Sequence, residues 1–285
     1  MLFTYEPWLR LAAFSAVFVV MALWEVRLPR RPLTIGRGRR WPSNLGVVAL
    51  DTLIVRILFP TAAVGVALVC EARGWGLFNW LSLPAGLATL LSVLLLDLAI
   101  YLQHVLFHAV PVLWRLHRMH HADLDIDVTT GVRFHPIEIV LSMLIKFAVV
   151  AAIGATAVAV LVFEVLLNAT SMFNHSNVRM PPAVDRVARW LVVTPDMHRV
   201  HHSIIRAETD SNFGFNFPWW DRLFRTYRPQ PAEGHLGMTI GINAFRDPGE
   251  LRLDRMLVQP FRPEDGVRPR AADAGDTTSR STRGL

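Results

Sequence analysis

The chain has 285 residues, of which 52% are hydrophobic and 18% charged, against roughly a quarter charged in soluble domains. These values exclude collagen-like, disordered, coiled-coil and disulfide-scaffold classes, and a lone cysteine, Cys70, excludes an internal disulfide, an Fe–S cluster and a cysteine-based zinc site. The net charge of +6 comes almost wholly from arginine, and the basic residues flank long apolar runs, which points to membrane topology and away from nucleic acid.

The first apolar run covers residues 7–26. It stands where a signal peptide would stand, but only Arg10 precedes its uncharged core, and Glu25-Val26-Arg27 follows where small residues should mark cleavage. A retained anchor is expected. Arg27, Arg30, Arg31, Arg37, Arg39 and Arg40 come next, a cluster expected to stay in the cytoplasm and so to leave the N-terminus outside. A second span is expected over residues 44–69, interrupted by Arg56 and Pro60, with Arg56 facing the bundle interior or snorkelling. A loop with Gly74, Trp75, Gly76 and Trp80 suits the outer interface, and a third span over residues 83–105 brings His104 and His108 to the cytoplasmic end.

Residues 137–173 are too long for one simple crossing. Gly154 near their middle predicts a tight helical hairpin with both ends cytoplasmic; a single tilted helix would instead carry His175 across the membrane. From residue 177 the chain is amphipathic, and its last stretch has the composition of a disordered tail. The expected fold is an all-α integral membrane protein of about three spanning helices plus a helical hairpin, with a cytoplasmic-side helical cap carrying a histidine-rich dimetal site. The expected organisation is an anchor over residues 1–82, a histidine-bearing domain over 83–230, an extension over 231–260 and the tail over 261–285.

Eight of eleven histidines fall into three groups: His104 and His108, then His117, His120 and His121, then His198, His201 and His202. Residues three or four apart share a helix face, so each group can converge on one point. Neutral imidazole suits iron, zinc, copper or nickel. A single metal takes three or four protein ligands, so this many imidazoles implies two ions. A ninth ligand, His175, ends a polar stripe of Glu164, Asn168 and Ser171 that lies within about 60° on an otherwise apolar helix. Glu164 and Asn168 are expected beside the ligands or facing substrate. So is Asp97, about two turns before His104, either fixing helix packing or accepting a ligand's free ring N–H. His135, isolated before Pro136, is expected beside the ligands or facing substrate, with ligation as its alternative, and His235 is expected on the surface. No separate acid or base is assigned. His-Glu-x-x-His and Gly-x-Ser-x-Gly are absent, and Gly36-Arg37-Gly38 lacks the strand that a nucleotide site needs. Electrons are therefore expected from a separate protein.

The three histidine groups stand with Leu113-Trp114, Asp127-Val128-Thr129-Thr130, Arg133-Phe134-His135-Pro136-Ile137-Glu138 and Asn174-His175-Ser176-Asn177. Further along come Thr194-Pro195-Asp196-Met197-His198, Asn212-Phe213-Gly214 and Trp220-Asp221-Arg222-Leu223-Phe224. Together these resemble the membrane fatty acid hydroxylase/sterol desaturase superfamily over residues 97–227. Val105, Ala122 and Arg225 depart from common family residues, but no histidine is lost. The resemblance implies a non-haem centre of two iron ions that activates O₂ as co-substrate and oxidises a C–H bond of a lipid drawn from the bilayer, by hydroxylation or desaturation. Phe213, Phe215, Phe217, Trp219 and Trp220 would line a substrate groove or anchor at the interface. Two other readings use the same cage: a metal-dependent lipid-cleaving enzyme and a non-catalytic metal- or haem-binding membrane protein. The Arg- and Ala-rich composition fits a bacterial inner membrane.

Overall fold

The computed structural model describes residues 5–263, so the expected disordered tail lies almost wholly outside the described residues. Within them there is no named strand, only two isolated bridges, Pro29 with Val178 and Ser203 with Ile240. Five helical segments are long and apolar enough to cross a membrane.

Helix α1 (Glu6–Arg27) is the first. The second segment is not one rod. Helix α2 (Arg37–Leu58) stops where Pro60 removes a backbone donor and forces Phe59 out of helical conformation, with φ −133° and ψ 67°. Helix α3 (Ala62–Arg73) then restarts and turns Ala63, Val64, Ala67 and Cys70 inward. The span expected over residues 44–69 with an interruption at Pro60 is thus built of two helices. Arg56, near the end of α2, is exposed on the wall of a large internal cavity. A short helix, α4 (Leu77–Trp80), leads into α5 (Ala85–Ala109). Pro111, at the first turn of α6 (Pro111–His121), follows an extended Val110 and separates the two helices.

Helices α7 (Pro136–Ile153) and α8 (Ala157–His175) form the expected hairpin. Gly154 closes α7 in the left-handed region at φ +68°, and Thr156 caps α8 by accepting from the Ala159 N–H. Gly76, at φ +94°, packs against this turn so closely that a Cβ there would sit 2.2 Å from the Gly154 nitrogen. The α3–α4 loop and the hairpin turn thus share one end of the bundle, and the histidines occupy the other. A single tilted helix over residues 137–173 is excluded. With 56% of its most apolar window buried, against 11–28% for the other four segments, α8 is the central helix.

Beyond α8, two short helices, α9 (Pro182–Ala188) and α10 (Pro195–His201), belong to a cap of short turns. The arginines after α1 were expected to mark topology, yet several brace this cap. Arg30 pairs with Asp196 at 3.0 Å, and Arg31 donates to the Met238 carbonyl. Arg40, fully buried, binds both oxygens of Asp123 at 2.7 Å and Asp127 at 2.5 Å.

Candidate metal centre

Each helix brings its histidines in on a buried face. On α5, Leu96, Asp97, Ile100, Tyr101, His104, Phe107 and His108 follow a three–four spacing and are all buried. Helix α6 does the same with His117, His120 and His121, and α10 and its C-cap residue with His198, His201 and His202.

The nine imidazoles sort into two groups, each with its ligand atoms within 4.8 Å of one another: His104, His108, His117, His121 and His201, and then His120, His175, His198 and His202. Adjacent helical residues point about 100° apart. The pairs His120-His121 and His201-His202 therefore split, one member going to each group. The rings of His121 and His202 stack at 4.5 Å where the groups meet.

Hydrogen bonds settle which ring nitrogen is free. Nδ1 lies against an acceptor in six of the nine: His104 on the Phe213 carbonyl at 2.8 Å, His117 on Glu138 at 2.7 Å, His120 on the Arg133 carbonyl at 3.1 Å, His175 on the Ser171 carbonyl at 2.7 Å, His201 on the Ser211 carbonyl at 2.7 Å and His108 on Asp210 at 3.3 Å. A carbonyl or carboxylate accepts only from N–H, so in the neutral imidazole each Nε2 carries a bare lone pair. Those lone pairs then face one another: Nε2 of His104 and His117 are 3.1 Å apart, as are Nε2 of His175 and His120, and Nε2 of His198, whose Nδ1 has no partner, lies 3.0 Å from that of His175. Bare nitrogens held this close repel unless a cation lies between them. Nε2 of His108 and His201 and both ring nitrogens of His121 and His202 are buried with no hydrogen-bond partner. This donor set fits two metal ions of the imidazole-binding kind.

The cap histidines are in the ligating form at neutral pH. Burial, then neighbouring imidazoles, hold His120, His121, His198 and His202 well below the usual histidine range, and burial takes His201 down to about 3. Asp123, just past α6, is fully buried; burial pushes its carboxyl up, but the Arg40 and Arg133 guanidiniums outweigh that and hold it at about 2.

Other singled-out residues stand elsewhere. Asp97 reaches no histidine; it accepts from Trp220 Nε1 at 2.8 Å and the Phe217 N–H at 3.4 Å. His135 lies outside both groups, capping α7 through Nδ1 and hydrogen-bonding the Leu257 carbonyl through Nε2. Glu164 pairs with Lys146 at 2.6 Å and with Arg10, and Asn168 donates to the Glu164 carbonyl; both line the cavity. His235, expected on the surface, is buried 3.5 Å from Asp196, and burial lowers it to about 4. Of the aromatic stretch, Phe215 lines the cavity, Phe213 packs on His104, His108 and His201, and Phe217 stacks on Trp219. Sequence reasoning missed Glu138 and Asp210, the two carboxylates on ligand-bearing rings. An acid in the first turn of an apolar helix was the available signal for Glu138.

The cavity measures about 760 Å³ and reaches from His104 and His117 into the membrane-spanning helices, past Phe107, Phe134, Phe215 and Ile139 to Leu11 and Phe14. That volume falls in the range of small-molecule sites.

Residues 89–226 match the fatty acid hydroxylase family. The chain is 25% identical over 229 residues to alkylglycerol monooxygenase of Xenopus tropicalis, covering 78% of this chain and 49% of that protein. It is 28% identical over 158 residues to ornithine lipid hydroxylase OlsE of Rhizobium tropici (55% and 47%), and 26% identical over 164 residues to cholesterol 25-hydroxylase of Rattus norvegicus (56% and 53%). The chain thus spans about half the length of these curated relatives. No solved structure matches it. The matched segment holds all nine converging histidines, and over it the chain is similar to the fatty acid hydroxylase family.

Proposed function

We propose that this chain is a membrane-bound, O₂-dependent di-iron oxidoreductase that oxidises a C–H bond of a lipid. One observation carries this reading: two all-imidazole groups adjoin, and His104 and His117 of the first line a cavity that opens among membrane-spanning helices. His104, His108, His117, His121 and His201 would hold one iron, and His120, His175, His198 and His202 the other. Iron held there supplies the O₂ activation and hydrogen abstraction that no protein side chain provides.

The chain's own residues do the rest. In six of the nine rings the acceptors on Nδ1 orient the imidazole and fix its tautomer, so that Nε2 faces inward. Phe107, Phe134 and Phe215 wall the cavity beside the histidines, shielding the reacting carbon from water and guiding an apolar chain toward them. The relatives named alkylglycerol monooxygenase, ornithine lipid hydroxylase and cholesterol 25-hydroxylase favour hydroxylation over desaturation. Electrons come from a separate protein at the membrane face that carries the cap. The arginine-rich flank supports a cytoplasmic position for that face, and the Arg- and Ala-rich composition a bacterial inner membrane.

A bis-imidazole haem is disfavoured, because four or five rings converge on each point and leave no plane for a macrocycle. The test is expression in a host fed labelled O₂, with lipid extracts compared against an empty vector. A new lipid carrying one labelled oxygen atom is expected. Released headgroup or acyl product without label would establish lipid cleavage instead.

A further inference from the structure

The cap carries an apolar face that the histidine chemistry leaves unused. Val187, Trp190 and Leu191, on and just past α9, and Leu223, in the short helix Trp219–Leu223, are each 58–65% exposed. Trp219 and Phe224 are exposed as well. Two hydrogen bonds join the stretches: Trp219 Nε1 donates to the Trp190 carbonyl at 2.7 Å, and Arg222 Nη2 to the Arg189 carbonyl at 3.0 Å. Large apolar side chains gathered on one surface mark a contact.

Two observations say what covers this face. The first is depth. Trp220 Nε1 and the Phe217 N–H both reach Asp97, and Phe224 stacks on Tyr101 at 5.4 Å. Asp97 and Tyr101 stand within membrane-spanning α5, about 10 and 5 Å before His104 along the helix. The loop over residues 217–224 therefore runs along the flank of a spanning helix, and its outward side chains stand where lipid surrounds that helix. The second observation is charge. Residues 185–191 and 217–228 hold five arginines against two acids. Both acids are occupied: Asp185 by Arg189 and the Thr194 hydroxyl, and Asp221 by the Phe213 and Gly214 N–H groups and the Thr226 hydroxyl. Arg186 and Arg225 are exposed, and neither they nor Arg222 form an ion pair among the described residues. The Arg222 guanidinium lies over the rings of Trp190 at 3.8 Å and Tyr227 at 4.1 Å, which fixes a cation at the edge of the apolar face.

Tryptophan and arginine bordering an apolar face suit the headgroup layer, where their polar tips meet phosphates and their apolar bodies meet acyl chains. We propose that this face is a second membrane contact, seated in the leaflet on the cap side, and that it selects anionic phospholipids through Arg222, Arg186 and Arg225. The contact goes beyond the oxidase reading and does not depend on it. Since His198, His201 and His202 lie between the two stretches, it also ties the third histidine group to the membrane surface.

Fluorescence of the full-length protein in nanodiscs tests this without turnover. Bimane is attached at Leu223→Cys or, separately, at Leu191→Cys; the native Cys70 is buried. The discs contain phosphatidylcholine and phosphatidylglycerol, and a 5-doxyl form of each lipid serves in turn as quencher. Both positions are expected to give blue-shifted emission and to be quenched by lipid. Doxyl-phosphatidylglycerol should reach half-quenching at a mole fraction at least roughly fivefold lower than doxyl-phosphatidylcholine, the share of one arginine at an anionic surface. Arg222→Gln should reduce that preference severalfold, and so should Arg186→Gln, which alters an exposed side chain and spares the Trp190 contact. Water-like emission without lipid quenching at both positions would overturn the inference and give the face to a protein partner. Equal quenching by the two lipids, a comparison that keeps every arginine, would overturn the anionic selection. A preference surviving intact in both arginine variants would overturn the assignment of these side chains.

Discussion

His117 faces Glu138 with Nδ1 and the first cluster with Nε2, so the carboxylate dictates which nitrogen is free. Glu138→Gln keeps the shape but weakens the acceptor that orients the ring through Nδ1. Metal affinity at that cluster should weaken by about tenfold, the lower end of what such outer partners contribute. Competition with a calibrated chelator would measure it, and unchanged affinity would reject the assigned role. The cap histidines also set a pH dependence. Their folded-state pKa values lie far below about 6.5, the value they take in the unfolded chain. As pH falls through about 6.5 the unfolded chain binds protons that the folded chain refuses, so folding stability of metal-free protein drops from there downward. Thermal unfolding of chelator-treated protein between neutral pH and about pH 5 should show a falling midpoint. The nine converging histidines were legible because three- and four-residue spacing encodes a helix face. Their carboxylate partners were not. Asp97 and Glu138 are both lone acids in apolar helices, and only tertiary packing turns one toward Trp220 and the other toward His117.

At the scale of elements, the centre depends on α7 and α8 returning to the same membrane face, which the Gly154 turn and its packing on Gly76 enforce. Gly76→Val would drive a side chain into the Gly154 backbone at a positive φ. Overpacking and left-handed strain together should cost about 2–4 kcal/mol, read as a lower unfolding midpoint in detergent with reduced metal content. An unshifted midpoint would mean that the two glycines do not lock the hairpin. Gly154 was readable as a break because the apolar run around it was too long to cross once. Hydropathy runs on through Pro60, so the sequence shows an interruption there but not that α2 ends at Leu58 and α3 restarts at Ala62.

Across the whole molecule, the N-terminal third holds the histidine-bearing cap in place. Arg40 joins α2 to Asp123 and Asp127, in the loop that follows the second histidine group, and all three side chains are buried. Truncating one partner of a buried pair leaves an uncompensated charge, so Arg40→Met should cost about 3–5 kcal/mol and loosen α6. Limited proteolysis between α6 and α7 would report it, and wild-type resistance would contradict it. This arginine was invisible as a structural residue in the sequence, because a basic run beside an apolar helix reads first as a topology signal. The membrane class and histidine constellation could be read without coordinates, whereas the bracing between anchor and cap depends on contacts between residues more than eighty positions apart.

The most direct test of the central claim is metal analysis of full-length protein purified in detergent from iron-supplemented cells. Two adjoining imidazole clusters should retain about two irons per chain with no Soret band. Zinc as the sole metal in active protein, or a haem spectrum, would contradict the di-iron account.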